Sequence, residues 1–333
     1  MDIFQRKGWV IHMSEEQLAA MWKAEIEKSL AEEQGLRERL RPVEFPSDLW
    51  QVFRGAYGDV REDVAFLFCP KDLLPEMQKL RRLDFEDKDA EQINFDNLCE
   101  NLSHQLSFYS ATYLVMPYFL LFYEKKRKEQ DFQWQMKVLE NAGSILSTDF
   151  PENTGGTDGI SADILESYQL SIELFRERAK EFLRENMETL KQQDPMELLY
   201  FCTGLLALFG NAEDAFQMLV GSWEQAPVAC LNCGYFDEEM EAEGFYEELE
   251  NGGEEPEGSC CGPVVKERVT PAASVLGQWD GEDFENTYLW FSNLAHELGM
   301  EGAWKIPYYY GTYTCPECGS KGLLMDWVKK CQF

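Results

Sequence analysis

Cys230-Leu231-Asn232-Cys233-Gly234 and Cys315-Pro316-Glu317-Cys318-Gly319 are the residues of this chain whose type and spacing carry chemistry most directly. Two thiolates three residues apart can share one tetrahedral ion if the backbone makes a tight knuckle. The glycine after the second cysteine permits the positive φ that such a turn commonly uses and lets backbone amides approach sulfur. Two knuckles together offer four sulfurs, Cys230, Cys233, Cys315 and Cys318. Four thiolates close the coordination shell and leave no position for water, so the expected ion is one structural zinc per chain rather than a catalytic one. Residues 234–314 separate the pairs, a longer interval than zinc ribbons usually have, yet a segment of that length can loop out at modest entropic cost.

The competing chemistry is thiol redox. Cys315-Pro316-Glu317-Cys318 resembles a redox dithiol, but such a motif sits where a strand feeds a helix N-terminus, and Gly319-Ser320-Lys321-Gly322 does not start a helix. Cys260, Cys261 and Cys331 could add a ligand or be incidental. Cys69, Cys99 and Cys202 lie in apolar helical context and are expected to be buried thiols. Only three histidines exist, His12, His104 and His296, which leaves little material for histidine-dependent catalysis. His296-Glu297 lacks the second histidine of a zinc-protease helix, and the chain has neither a Walker loop nor a nucleophile elbow. His104-Gln105, at the mouth of the most apolar stretch, is expected to cap a helix or make an inter-helix hydrogen bond rather than to take part in catalysis.

These groups must be held by a folded body. The 333 residues include 30 Lys plus Arg against 61 Asp plus Glu, a formal charge of −31, with 44% hydrophobic and 14% aromatic residues. The apolar content is ample for a core, and the charge argues against nucleic-acid binding, which needs clustered bases. Residues 1–13 lack the basic flank and apolar core of an export signal, and ten cysteines without such a signal point to thiols or metal in the cytoplasm rather than disulfides. Leu106–Tyr123 is the most membrane-like stretch. Its Ser107, Ser110, Thr112 and Pro117, together with its shortness, read better as a buried core helix bent at Pro117.

From Ser14 to about Ser222, apolar residues recur three and four apart, the pattern of successive amphipathic helices. Ser14–Gln17 reads as a capping box before Leu18, Trp22, Ile26 and Leu30. Another helix carries Trp134, Val138, Leu139 and Ile145, and a long one carries Leu165, Tyr168, Ile172, Phe175, Ala179 and Phe182. Asp194-Pro195-Met196-Glu197 marks a cap with proline in the first turn, Gly210 closes that helix, and Asn211 begins the next. No strict repeat of tetratricopeptide or ankyrin length is present, which leaves degenerate HEAT-like pairs. Residues 149–159, with Pro151 and three glycines, form a loop.

Near Pro227 the composition changes. Asp237–Glu257 holds eleven acids and no base and reads as a solvated excursion. A helix over 281–299 follows, with Phe284, Tyr288, Phe291, Ala295 and Leu298 on one face, and Trp304–Thr314 reads as extended. The expected architecture is mainly α: an irregular HEAT/armadillo-like α-solenoid over 1–226, then a small zinc-stapled module over 227–333.

The chain also resembles a broad bacterial group of HEAT-like helical-repeat proteins of unassigned activity that carry two C-terminal CxxCG knuckles. The likeness rests on Ala56-Tyr57-Gly58 with Asp63-Val64, on His104-Gln105 with Tyr109-Ser110-Ala111-Thr112 and Pro117, on Gly210–Gly221 leading into the first cysteine pair, and on Tyr310-Gly311-Thr312-Tyr313 before the second. It departs from that pattern at Leu106, where glycine is expected after His-Gln, and at the acidic stretch from Asp237, which looks like an insertion. The resemblance implies a helical scaffold used for protein contacts and implies no reaction.

The leading expectation is therefore a cytoplasmic protein-binding scaffold whose negative field orients a basic protein partner, concretely an immunity- or antitoxin-like protein that masks a basic toxin. The rival is an enzyme, a thiol oxidoreductase or hydrolase, using the cysteine module or the concave helical face. Neither a nucleic-acid nor a membrane partner is expected, and the sequence does not indicate an oligomeric state.

Overall fold

The computed structural model describes residues 2–6, 9–13, 23–24, 26–69, 90–150, 159–220, 227–243 and 263–331. Its elements are mainly helical. Contacts divide the chain into two compact units, one of Met1–Trp134 with Asp158–Leu174 and one of Gln135–Thr157 with Phe175–Phe333. This division runs elsewhere than the 226/227 boundary expected from composition. The C-terminal module and the helices from residue 175 onward belong to one unit, because they share a core.

The first unit contains an antiparallel hairpin, β1 (Asp2–Arg6) and β2 (Trp9–Met13), with Asp2 opposite Met13 and Arg6 opposite Trp9. The helical reading did not include it. Residues 26–31 are helical as expected, with Ile26 and Leu30 buried; the Ser14–Gln17 box, Leu18 and Trp22 lie outside the described residues. Short helices α1 (Gln34–Leu40), α2 (Leu49–Val52) and α3 (Arg61–Phe66) lead to α4 (Ala90–Ser103) and α5 (Thr112–Lys128).

α5 is the element that the most apolar stretch builds. It starts at Thr112, not Leu106, because His104–Leu106 forms a separate 3-10 turn. Every residue of α5 from Thr112 to Glu124 is buried, so the helix is apolar on all sides because it is covered on all sides. Tyr118 stacks on Phe45 at 4.9 Å and donates to the Val43 carbonyl at 2.8 Å, while Phe119 and Phe122 pack on Phe95. No described helix is long and apolar enough to cross a membrane.

In this unit the turn after α4 is strained: Gln105 and Leu106 take φ of 52° and 58°. That is the left-handed conformation glycine adopts without steric penalty, and it falls on the position where the sequence pattern calls for glycine and has Leu106. His104 meets Glu100 through Nδ1 and accepts or donates to the Tyr57 hydroxyl at 2.9 Å. It thus ties the end of α4 to the loop at 54–58 rather than to another helix. The same loop is clamped by Asn101, which accepts from Tyr57 N at 2.7 Å through its side chain and from Ala56 N at 2.8 Å through its carbonyl.

α6 (Phe132–Leu146) and α7 (Ala162–Leu190) each contribute residues to both units. Within the second unit, α8 (Pro195–Leu208) is the buried centre. Its Asp194 cap accepts from Met196 N and Glu197 N, and Pro195 occupies the first turn, as read from the sequence. Gly210 takes φ 97°, and α9 (Ala212–Val220) follows at once. The 149–159 loop is described only at its ends.

α8 approaches α6 so closely that a Cβ on Gly143 would lie 2.0 Å from the Gly204 carbonyl oxygen, and one on Gly204 would lie 2.7 Å from that of Glu140. Phe182 packs edge-on to Phe201 at 5.9 Å.

The C-terminal part differs from expectation in three places. Asp237 is not solvated: it is fully buried, and α10 (Glu238–Glu243) follows it and packs on α11 (Pro263–Arg268); the acidic stretch from 244 lies outside the described residues. The helix expected over 281–299 is α12 (Thr287–Leu298), because Asn286 caps it by accepting from Leu289 N. Phe284 sits ahead of it, stacked on Phe209 at 3.9 Å. Residues 303–309 are not extended but form a 3-10 turn and α13 (Ile306–Tyr309), with Pro307 in the first turn where its missing N–H is not needed. Strand character in this stretch begins only at Thr312. β3 (Val269–Thr270), β4 (Thr312–Thr314) and β5 (Lys321–Leu323) make a small antiparallel sheet in the order β3-β4-β5, and α14 (Leu324–Lys329) closes the chain.

Two measurements check this packing. Gly143→Ala should lower unfolding free energy by about 2 kcal/mol or more, read from the urea midpoint, because α6 and α8 must separate to admit the methyl group. Leu106→Gly should raise it by about 1 kcal/mol by removing left-handed strain from a partly exposed residue.

Candidate metal centre

Both knuckles are built alike. In the first, Cys230 N donates to the Tyr235 carbonyl at 2.8 Å and Gly234 N donates back to the Cys230 carbonyl at 2.9 Å, with Gly234 at φ 75°. In the second, Cys315 N donates to the Ser320 carbonyl at 2.9 Å and Gly319 N to the Cys315 carbonyl at 2.9 Å, with Gly319 at φ 69°. An L-residue with a Cβ would be strained at either glycine. The first knuckle is closed by a bridge between Ala229 and Phe236, the second by the β4–β5 pair Thr314 and Lys321.

The four expected ligands come together. Their Sγ atoms all lie within 4.8 Å of one another. Across the knuckles, Cys230 meets Cys318 at 3.7 Å and Cys233 meets Cys315 at 3.8 Å. These lengths are far beyond a disulfide, whose sulfurs sit about 2.05 Å apart. They match the edge of a tetrahedron: four sulfurs about 2.3 Å from a central ion lie about 3.8 Å from each other. The cluster can therefore hold a metal ion.

Electrostatics points the same way. Hydrogen bonds from the Ser320 hydroxyl and backbone N–H, helped by Asn232, hold the Cys318 thiol down to about 6. The Tyr235 backbone N–H also favours the Cys233 thiolate, but burial and the three neighbouring sulfurs outweigh it and push that thiol up to about 12. Burial raises Cys315 as well. Thiolates within 4.8 Å of one another repel, so ionising all four together is costly without a cation. A divalent ion removes that conflict and lets all four sulfurs ionise.

The site has a support that the sequence did not reveal. Asp237, four residues past Cys233, accepts from the hydroxyl of Tyr313, two residues before Cys315, at 2.5 Å, and Arg268 Nε lies 3.5 Å away. Burial, with the bond and charge of Asp237, pushes the Tyr313 phenol well above its ordinary range. The phenol stays protonated and serves as donor. Asp237 N also donates to the Val228 carbonyl at 2.9 Å, so the strands leading to both knuckles are joined through one carboxylate.

The other cysteines divide as follows. Cys69, Cys99 and Cys202 are buried, as expected. Cys331 lies outside the four-sulfur group, with its Sγ 3.7 Å from the Trp327 carbonyl. Cys260 and Cys261 lie outside the described residues. Compared with known proteins, the chain matches no family model, no curated protein and no solved structure.

Cys230→Ser should abolish stoichiometric metal retention and open 227–237 and 312–323 to limited proteolysis while α8 stays protected. Tyr313→Phe should keep the metal yet lower stability by about 1–3 kcal/mol, because it leaves one oxygen of a buried carboxylate without its donor. Metal analysis and denaturation of the same preparations separate the two effects.

Proposed function

We propose that the ion is zinc and that the chain is a zinc-stapled helical scaffold that binds a basic protein partner in the cytoplasm. The observation that carries this reading is the four-sulfur cluster: four thiolates would fill every position around a tetrahedral ion, which suits an ion that shapes the fold and leaves no open site for substrate or water. Zinc prefers that ligand set and geometry. A thiolate shell and the buried thiols Cys69, Cys99 and Cys202 suit a reducing compartment. The succession of helices with short connections supports a HEAT-like arrangement of the helical part.

The partner's chemistry follows from charge. A net −31 creates a field that attracts and orients a basic surface. An inhibitor that masks a basic toxin is the concrete form of such a scaffold.

Elemental analysis of the purified protein should give about one zinc per chain, with four thiols protected from alkylation until chelation. Capture from extracts of the native host should retain basic proteins at low salt and lose them as salt rises, with association slowed rather than abolished at intermediate ionic strength. Absence of zinc and of any protected thiols overturns the metal reading. Failure to form a complex at low salt overturns the scaffold reading.

A further inference from the structure

Each knuckle presents one buried and one exposed sulfur. Cys230 and Cys315 are 2% and 1% exposed, whereas Cys233 and Cys318 face solvent. Two sulfur contacts run between the knuckles: Cys318 with Cys230 at 3.7 Å, and Cys233 with Cys315 at 3.8 Å. An oxidant arriving from solvent therefore meets a sulfur that has a close neighbour on the other knuckle. Cys318 has the more polar surroundings of the two exposed positions, with Ser320 Oγ 3.2 Å from its sulfur and Asn232 Nδ2 donating to it at 3.7 Å.

We propose that this centre is an oxidative modification site at which hydrogen peroxide converts the zinc staple into a covalent one. The inference rests on the zinc reading. The Cys318 thiolate attacks the peroxide; its S–O bond forms, the O–O bond breaks, and hydroxide leaves beside the Ser320 hydroxyl. The Cys230 thiolate then attacks the Cys318 sulfur; the S–S bond forms and the S–O bond breaks, releasing a second hydroxide. Two thiolates lose two electrons in total, and the peroxide is reduced by two. Zinc, left with two ligands, departs, and a second peroxide joins Cys233 to Cys315 in the same way. Closing each contact to about 2.05 Å needs a movement of under about 2 Å.

Which sulfurs join decides the outcome. Disulfides within a knuckle, Cys230 to Cys233 and Cys315 to Cys318, would release one knuckle from the other. Disulfides between knuckles keep the strands before Cys230 and Cys315 together, in the arrangement that Asp237 and Tyr313 already hold. The protein would lose its ion without losing its module.

The test uses the full-length zinc protein, treated with hydrogen peroxide, quenched by alkylation and digested without reductant. Zinc release is followed with a chromogenic chelator, and disulfides are mapped by mass spectrometry. The expected result is loss of one zinc per chain in step with a peptide joining Cys230 to Cys318, then one joining Cys233 to Cys315, with the limited-proteolysis pattern of 227–331 retained. Cys318→Ser should slow zinc release severalfold. Because that variant can lose zinc outright, Ser320→Ala, which keeps all four ligands, serves as the second variant and should also slow it. Disulfides confined to single knuckles, sulfonic acids without disulfides, or zinc retained against excess peroxide each overturn the inference and leave the zinc reading standing. A protein that binds no zinc overturns both.

Discussion

Four sulfurs drawn within 4.8 Å of one another cannot all carry charge unless a cation sits among them, and that repulsion organises the C-terminal part of this chain. It explains why the two knuckles share one hydrogen-bond pattern and why each ends in a glycine with positive φ. It also explains the need for a second tie. An ion holds sulfurs, not strands, and the strands are joined by Asp237 as it accepts from Tyr313 beside Arg268. A metal ion there would fix the tips, and the buried carboxylate fixes the approach.

The ligands were legible in the sequence because a CxxCG pair encodes its own geometry within five residues. The long helices were legible for a related reason: Asp194-Pro195 and the stripe from Leu165 to Phe182 are local signals, and local signals survive into the fold. Asp237 was hidden because it opens a run of acids, where the default for any single carboxylate is solvent. Its partners stand at 268 and 313, and no local pattern links them. Ile306–Tyr309 was hidden by its composition, since tyrosines favour strands and Pro307 reads as a breaker, although in the first turn of a helix proline costs nothing.

The ion pairs among the described residues place several of the chain's bases against acids: Arg37 with Glu27 and Glu44, Arg268 with Asp237, Glu239 and Glu267, Lys329 with Asp214 and Glu213. With 30 bases against 61 acids, pairing consumes positive charge and leaves the excess on carboxylates. The excess of negative charge is thus set by composition, while cations taken inside, such as Lys126, serve the fold.

Lys126 is the clearest case. Its side chain is fully buried, with its ammonium 2.7 Å from Glu91 and close to the rings of Phe122 and Trp134. α5 is apolar around its whole circumference, and a uniformly greasy cylinder has no preferred angle of rotation about its own axis. The ion pair to α4 joins the Tyr118 hydroxyl bond on Val43 in supplying that preference, since turning or sliding α5 would strand a charge in hydrocarbon. An uncharged pair of equal volume would fill the same space without choosing a setting. Lys126 and Glu91 therefore tie α5 to α4 from inside the hydrocarbon, at a point where parting them would leave two buried charges uncompensated.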